Sequence, residues 1–256
     1  MPISDDDVVR LLDRTVAAIR DALAAEFEAR AERRRERGER PGQYRLDLVA
    51  DAAALGVLHG AGVGVLSEES GLDDTGSELV VVIDPVDGST NASRGIPWYA
   101  ASLCAVDDHG PRASVVVNLA TGTRYAAVRN QGATCDGRPI SPSPVRDVSD
   151  AVLVLNGYPR RHLGWKQYRA MGATALDLCS VAIGMTDGTV DCSTDQLGPW
   201  DFLGAMLVLT EAGAQIGDVQ GRPLVALDHA ARRTPVSAAT PELFEALLAA
   251  RIDLTS

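Results

Sequence analysis

The sequence is poor in cysteine, histidine and lysine, and each scarcity excludes a kind of chemistry. The four cysteines form no CxxC pair and no Cys/His pattern of zinc spacing, so neither a zinc site nor a disulfide scaffold is expected. They are Cys104, Cys135, Cys179 and Cys192. The four histidines are scattered, which argues against a histidine metal site or a Ser-His-Asp triad. Lys166 is the single lysine, so mechanisms that require several lysines are excluded.

Membrane and nucleic-acid functions are disfavoured by other absences. No stretch reaches the roughly 20 apolar residues of a membrane span, and residues 1–7 are acidic where a secretory signal is basic and then apolar. The formal net charge of −11 repels nucleic acid. The arginine-rich run at 30–40 mixes both signs at helical spacing, which indicates a solvated helix end. We therefore expect a cytoplasmic protein with no membrane or nucleic-acid partner.

Hydrophobic patterning covers most of the 256 residues, of which 46% are hydrophobic. Helices are predicted at about 4–34, 47–59, 174–183, 200–211 and 241–252. Strands are predicted up to residue 66 and at about 78–83, 99–106, 112–119, 123–128, 151–155 and 189–192. These elements predict a single α/β (α+β) unit, with an α+β metal-binding half at about 1–145 and an α/β half at about 146–256.

Acidic residues stand at the ends of several predicted elements. They are Asp47, Asp51, Glu68, Glu69, Asp84, Asp87 and Asp201. If they are gathered in one dry site, their mutual repulsion requires protonation or a bound cation. A cluster of oxygen ligands without His or Cys is typical of Mg²⁺ or Mn²⁺ rather than zinc.

The segment Asp84-Pro-Val-Asp-Gly-Ser-Thr-Asn91 follows a buried β-branched run that is predicted to end at its first two residues. Two carboxylates three residues apart, then Gly88 and two hydroxyl residues that can open a helix, place metal ligands beside N–H groups suited to a phosphate. A plain turn capped by Ser89 or Thr90 explains the proline and the glycine, but it leaves Asp87 unexplained.

Three segments together resemble the signature of the inositol monophosphatase family, in the same order and spacing. They are Leu66-Ser-Glu-Glu-Ser70, Ile83-Asp-Pro-Val-Asp-Gly-Ser-Thr-Asn91 and Trp200-Asp-Phe-Leu-Gly-Ala-Met-Leu-Val-Leu-Thr-Glu-Ala-Gly213. The resemblance extends over nearly the whole chain. It implies a layered αβαβα sandwich of the inositol monophosphatase/fructose-1,6-bisphosphatase type, a homodimer, and Mg²⁺-dependent hydrolysis of a small phosphate monoester.

The resemblance assigns metal ligands position by position. Glu68, Asp84 and the carbonyl of Val86 would hold a first Mg²⁺, which lowers the pKa of a bound water. Asp84, Asp87 and Asp201 would hold a second ion beside the leaving oxygen. A third, weaker ion near Glu68 is typical of the family, and Mn²⁺ could replace Mg²⁺.

The resemblance also assigns catalytic and substrate-binding residues. Ser89 would orient the attacking water and Asp47 would accept its hydrogen bond, with Asp51 as the alternative partner; Glu68 completes the catalytic set. The N–H groups of Gly88 and Ser89 would bind phosphate oxygens. The full substrate-binding set that it implies is Asp87, Gly88, Ser89, Thr90, Gly172, Ala173 and Thr174.

Departures from the family pattern leave the substrate open. Ser67 replaces the usual glycine, and Thr194 stands where inositol-hydrolysing members carry a glutamate, although Asp195 is adjacent. The ester could be an inositol phosphate, histidinol phosphate, a sugar bisphosphate or a nucleotide 3′-phosphate. A phospho-aspartate mechanism is disfavoured, because its DxDGT motif has a different spacing and needs a later lysine that only Lys166 could supply. A non-catalytic metal or phosphate binder is the alternative from another class.

Overall fold

The computed structural model describes residues 3–29, 35–38, 40, 42–73 and 76–252, and the elements named below lie within these ranges. Its α-helices are α1 (Asp5–Ala29), α2 (Arg45–Gly60), α3 (Ser89–Arg94), α4 (Thr174–Ala182), α5 (Pro199–Glu211) and α6 (Pro241–Ile252). A single 3₁₀ turn spans Val148–Asp150 in the described part of the chain. The five predicted helices are confirmed to within a few residues, except that the end of the first, at 30–34, lies outside the described residues.

The first sheet has the strand order β2-β1-β3-β4-β5-β6-β7-β8. Its strands are β1 (Gly64–Ser67), β2 (Gly71–Asp73), β3 (Val80–Asp87), β4 (Ala100–Asp107), β5 (Gly110–Asn118), β6 (Arg124–Val128), β7 (Ala133–Cys135) and β8 (Arg138–Pro139). The pair β1/β3 is parallel, and the strands from β3 to β8 form an antiparallel meander.

The second sheet has the order β10-β9-β11-β13-β12. Its strands are β9 (Val152–Asn156), β10 (Gln167–Arg169), β11 (Gly188–Asp191), β12 (Gln215–Asp218) and β13 (Pro235–Ala238). The strands β9, β10 and β11 run parallel, and β13 is antiparallel to both of its neighbours.

Five layers stack in the order helix, sheet, helix, sheet, helix. The helices α1 and α2 pack on one face of the first sheet, α4 and α5 lie between the sheets, and α6 covers the second sheet. Strand β3 shows how the pattern produces these layers, because Val81 and Ile83 point toward α1 and α2 while Val80 and Val82 point toward α4 and α5. The layered αβαβα fold expected from the resemblance is confirmed.

Helix α1 shows how the predicted apolar stripe becomes an interface. Its residues at three-to-four spacing are buried against the first sheet and α2. They are Val8, Leu11, Leu12, Val16, Ile19 and Leu23. At its start, the Ser4 hydroxyl accepts a hydrogen bond from the Asp7 N–H at 3.1 Å, so the predicted N-cap is confirmed.

Strand β3 does not end at Asp84-Pro85 as predicted. Its ladder with β4 pairs Asp84 with Ser102 and then Asp87 with Ala100, with a register shift between them. Pro85 and Val86 therefore stand opposite Ala101 alone, and this bulge accommodates Pro85, which has no N–H for the ladder. The bulge keeps both aspartates on a strand.

In the part of the chain that the structure describes, no helix is long and apolar enough to cross a membrane.

Candidate metal and phosphate site

Three carboxylates from three separate elements meet at one edge of the first sheet. Glu68 follows β1 directly and Asp84 lies on β3; because β1 and β3 run parallel, both residues reach the same edge. Asp201 enters from the first turn of α5. One oxygen from each carboxylate lies within 4.8 Å of the other two. The structure thus brings together three of the four predicted carboxylate ligands.

Asp201 also caps its own helix. Its Oδ2 accepts a hydrogen bond from the Gly198 N–H at 2.6 Å, so capping and membership of the cluster coexist in one side chain. The helix lies very close to β4 at Gly204, where an added Cβ would stand 2.5 Å from Ser102 Oγ. This close approach of α5 to the sheet fixes Asp201 above the strand that carries Asp84.

Asp87, the fourth predicted carboxylate ligand, is held differently. Its Oδ1 accepts a hydrogen bond from the Thr174 N–H at 3.1 Å, and its Oδ2 accepts one from the Ala175 N–H at 2.6 Å. The positive end of α4 therefore stabilises this carboxylate. The same contacts bring the predicted segment 172–174 beside Asp87.

Gly88 is required by the turn between β3 and α3. Its φ of +82° is left-handed, and an added Cβ would lie 3.0 Å from the Gly172 carbonyl oxygen. Asn91 closes the same junction, since its Nδ2 donates to the carbonyls of Trp98 at 2.8 Å and Met171 at 2.7 Å. The predicted phosphate-binding turn and the 172–174 segment are thus packed together. The Thr90 hydroxyl lies 3.4 Å from Tyr44 Oη.

Asp47 and Asp51 were the two alternatives for the partner of Ser89, and their surroundings differ. Asp47 Oδ2 accepts a hydrogen bond from the Tyr44 N–H at 2.7 Å, while its Oδ1 is buried without a partner in the described part of the chain. The nearby Ser89 hydroxyl opposes the rise in the Asp47 pKa. Asp51 instead accepts a hydrogen bond from Ser67 Oγ at 2.5 Å. Asp47 therefore keeps an acceptor oxygen that no protein group uses, whereas Ser67 holds Asp51.

The electrostatics of the site call for added positive charge. Burial first, then neighbouring carboxylates, raise the pKa values of Asp84 and Asp201 well above their usual range. Burial is also the main cause that raises the pKa of Glu68 to about 7 and the pKa values of Asp47 and Asp87 to about 8. All-oxygen donors, with the unpartnered Oδ1 of Asp47 close by, fit a hard divalent cation such as Mg²⁺ or Mn²⁺.

A cavity of about 290 Å³ reaches the cluster at Glu68. Asp47, Glu68 and Ser89 line it, and all three were predicted from the sequence. Its remaining walls include Glu69, one of the acidic residues singled out in the sequence, and Trp200, which begins the third signature segment. The other five were not predicted: Arg40, Gly42, Gln43, His229 and Arg232. The pair Arg232-Arg233 was no signal for a site, because adjacent arginines also stand at 33–35 and 160–161.

The position of the family's substrate-binding glutamate offers no free carboxylate. Asp195 has a left-handed φ of +50° and accepts a hydrogen bond from Arg222 Nη2 at 2.6 Å. The neighbouring Thr194 hydroxyl lies 3.5 Å from Arg251 Nη2. Arg222 holds the pKa of Asp195 below its usual range. Both residues are therefore held by arginines: Asp195 by Arg222 and Thr194 by Arg251.

Comparison with known proteins shows which family the sequence matches. The family model described as the inositol monophosphatase family matches residues 7–255. A fructose-1,6-bisphosphatase/inositol-1-monophosphatase of Thermococcus kodakarensis is 34% identical over 217 residues, which cover 81% of this chain and 82% of that protein. A fructose-1,6-bisphosphatase of Pyrococcus furiosus is 32% identical over 204 residues, covering 77% and 78%.

A solved structure matches the fold over almost its full length. It is a Pyrococcus horikoshii protein described as having similarities to inositol-1 monophosphatase, with a TM-score of 0.87 and coverage of 96% of this chain and 99% of that one. At 24% identity, this likeness concerns the fold alone.

Proposed function

The chain belongs to the inositol monophosphatase family, and we propose that it hydrolyses a small phosphate monoester with the help of Mg²⁺. Fructose-1,6-bisphosphatases and inositol monophosphatases are both phosphoric monoester hydrolases, and the chain is an enzyme of this class. The observation that carries the magnesium proposal is the meeting of Glu68, Asp84 and Asp201 within 4.8 Å.

The metal-holding residues in this proposal are Glu68, Asp84 and Asp201, with Asp87 and the Val86 carbonyl beside them. A bound divalent cation would neutralise charge on the phosphate and lower the pKa of a water molecule. The Val86 N–H already donates to Asp84 Oδ1 at 3.0 Å, which holds this carboxylate in place. Two or three ions per site are proposed, and Mn²⁺ is proposed as a substitute.

The catalytic proposal gives Ser89 and Asp47 the task of orienting water. The Ser89 hydroxyl would donate to the unpartnered Oδ1 of Asp47 and accept a hydrogen bond from the attacking water, which aligns the water for attack on phosphorus. The water oxygen then bonds to phosphorus as the ester P–O bond breaks, and the proton that this water gives up is balanced by the proton that the leaving oxygen takes up. The backbone N–H groups of Gly88 and Ser89 would bind phosphate oxygens.

The substrate is proposed to be a small phosphorylated metabolite with an inositol-phosphate-like polyol, bound also by Thr90 and the segment 172–174. Histidinol phosphate, a sugar bisphosphate and a nucleotide 3′-phosphate are alternatives within the same reaction.

We further propose a cytoplasmic homodimer; analytical ultracentrifugation giving a single-chain mass of 27.0 kDa would contradict the dimer.

A panel of phosphate esters tests the function. Purified protein is incubated with inositol, sugar, histidinol and nucleotide phosphates in Mg²⁺, Mn²⁺ or EDTA, and released phosphate is measured. We expect release from at least one ester with Mg²⁺ and none in EDTA. No release from any ester supports the non-catalytic alternative, and a phospho-aspartate trapped at Asp84 by beryllium fluoride supports the other mechanism.

A further inference from the structure

One wall of the cavity comes from the loop between β12 and β13, which none of the signature segments includes. His229 and Arg232 on this loop both line the cavity. The His229 ring stacks on Trp200 with centroids 4.8 Å apart, and its Nε2 lies 3.2 Å from the Glu68 carbonyl oxygen. Through His229, the loop therefore contacts Glu68 itself and Trp200, the neighbour of Asp201.

Arg232 is held rigidly on this wall. Its Nη1 donates to the carbonyls of His229 at 2.9 Å and Ala231 at 2.8 Å. Its guanidinium carbon lies 5.0 Å from the centroid of the Trp200 ring, within reach of a cation–π interaction. Two carbonyls and an aromatic face thus fix the guanidinium before any ligand arrives, which reduces the entropy lost on binding.

Arg232 keeps unused hydrogen-bonding capacity. Among the described residues, it makes no ion pair with a carboxylate within 4.0 Å, and its Nε and Nη2 donate to no protein acceptor. Arg40, the other arginine of the wall, differs, because it is ion-paired with Glu69 and also donates to the Glu69 carbonyl at 2.9 Å. Among the described residues, Arg232 is therefore the arginine of this wall whose charge is not paired with a carboxylate.

We propose that Arg232 binds the phosphate group of the ester in this cavity, an inference that rests on the proposed function. A guanidinium is well matched to phosphate oxygens, and charge-assisted hydrogen bonds to them are strong. Arg232 shares the cavity with Asp47, Glu68 and Ser89, the residues proposed to act on the ester. The carboxylates around it would otherwise repel a dianion, and the positive charge of Arg232 offsets part of this repulsion.

The sign of the effect on metal binding separates this role from a structural one. A cation near Glu68 and Asp201 repels Mg²⁺, so its removal should leave metal affinity unchanged or strengthen it, while phosphate affinity falls. If Arg232 only supports Trp200 and so the start of α5, its removal should weaken the binding of both Mg²⁺ and phosphate.

The experiment compares Arg232→Gln and Arg232→Lys with Arg233→Gln. Arg233 is a matched control, since it donates to the carbonyl of Pro223 at 2.8 Å and does not line the cavity. Calorimetry measures the Kd of Mg²⁺ and, at saturating Mg²⁺, the Kd of inorganic phosphate; kinetics measure KM and kcat with the best ester. Thermal unfolding shows whether each variant folds.

We expect Arg232→Gln to raise the phosphate Kd and the KM roughly tenfold or more, the usual effect of losing a hydrogen bond to a charged group. The Mg²⁺ Kd should stay the same or fall, Arg232→Lys should recover part of the phosphate affinity, and Arg233→Gln should resemble the wild type. An unchanged phosphate Kd in Arg232→Gln, or a parallel rise in the Mg²⁺ Kd, overturns the proposal. A wild type that binds phosphate through Arg232 but hydrolyses no ester overturns the proposed function and leaves this inference standing.

Discussion

Two groups of carboxylates in this protein differ in the charge of their neighbours: one group faces other carboxylates, and the other faces an arginine. The metal-site carboxylates, Glu68, Asp84 and Asp201, lie within 4.8 Å of one another, and their pKa values are raised. The arginine-paired carboxylates, Asp195 and Asp218, share Arg222, and their pKa values are lowered.

The presence or absence of an arginine partner separates acidic residues that stabilise the fold from those that serve the site. Asp218 is fully buried, yet Arg222 Nε lies 2.7 Å from its Oδ2 and the Thr234 N–H lies 2.8 Å from its Oδ1. Its negative charge is compensated by the protein itself. The metal-site carboxylates have no such partner within 4.0 Å in the described part of the chain, so they are either protonated or compensated by a bound cation.

The largest expected effect is that of Asp201→Asn, which removes one metal-site carboxylate. Turnover should fall at least about 100-fold, because even changes to residues outside the ligand shell commonly cost about 10–100-fold. In EDTA, the melting temperature should be unchanged or higher, since the mutation relieves repulsion among buried carboxylates. Steady-state kinetics and calorimetry check both; near-normal turnover would contradict the metal assignment.

The pair Asp47→Asn and Asp51→Asn sharpens the comparison within the site. Asp47→Asn should lower kcat roughly 100-fold with a small change in KM, as expected when a group that positions the attacking water is lost. Asp51→Asn should have a much smaller effect on kcat, because its carboxylate is hydrogen-bonded to Ser67. The opposite ranking would assign the catalytic partner of Ser89 to Asp51.

Asp218→Asn tests the arginine-paired group and is the control for Asp201→Asn. It should cost about 2 kcal/mol of unfolding free energy, because Arg222 loses a buried partner. The melting temperature should fall roughly 5 °C, and kcat per folded molecule should be retained. Strong loss of kcat at full stability would show that the two groups are not functionally distinct.

The smallest expected effect is a pH dependence of stability in the absence of metal. The pKa values of Glu68 at about 7, and of Asp47 and Asp87 at about 8, lie above those of an unfolded chain. The folded protein therefore binds more protons, and stability is lost as pH rises from about 5 through 8. In EDTA, the melting temperature should fall by several degrees over this range, and Mg²⁺ should oppose the fall because deprotonated ligands bind it better. A flat profile in EDTA would contradict the raised pKa values.

Long periodic elements and the order of motifs could be predicted from the sequence. The helices α1, α2, α5 and α6 carry apolar stripes or runs bounded by caps, and within the described residues all four match the prediction to within a few residues. The acidic residues now found at the cavity and cluster were singled out because each stands at an element end. Whether they converge depends on the parallel pairing of β1 with β3, which no pattern in the sequence specified.

Short and solvent-exposed elements could not be predicted. Strand β10 is exposed along its whole length, so it has no alternation of apolar and polar residues to reveal it. Strands β2, β7 and β8 have two or three residues each, too few for a pattern. Arg232 was missed because its role depends on contacts with Trp200 and with backbone carbonyls, which no spacing in the sequence encodes.

The most direct test of the central claim is to locate a cation in crystals grown with Mn²⁺, using its anomalous scattering. The account predicts a strong peak coordinated by oxygens of Glu68, Asp84 and Asp201, lost in Asp201→Asn and retained in Asp218→Asn. A peak elsewhere, or none at these three carboxylates in the wild type, would contradict it.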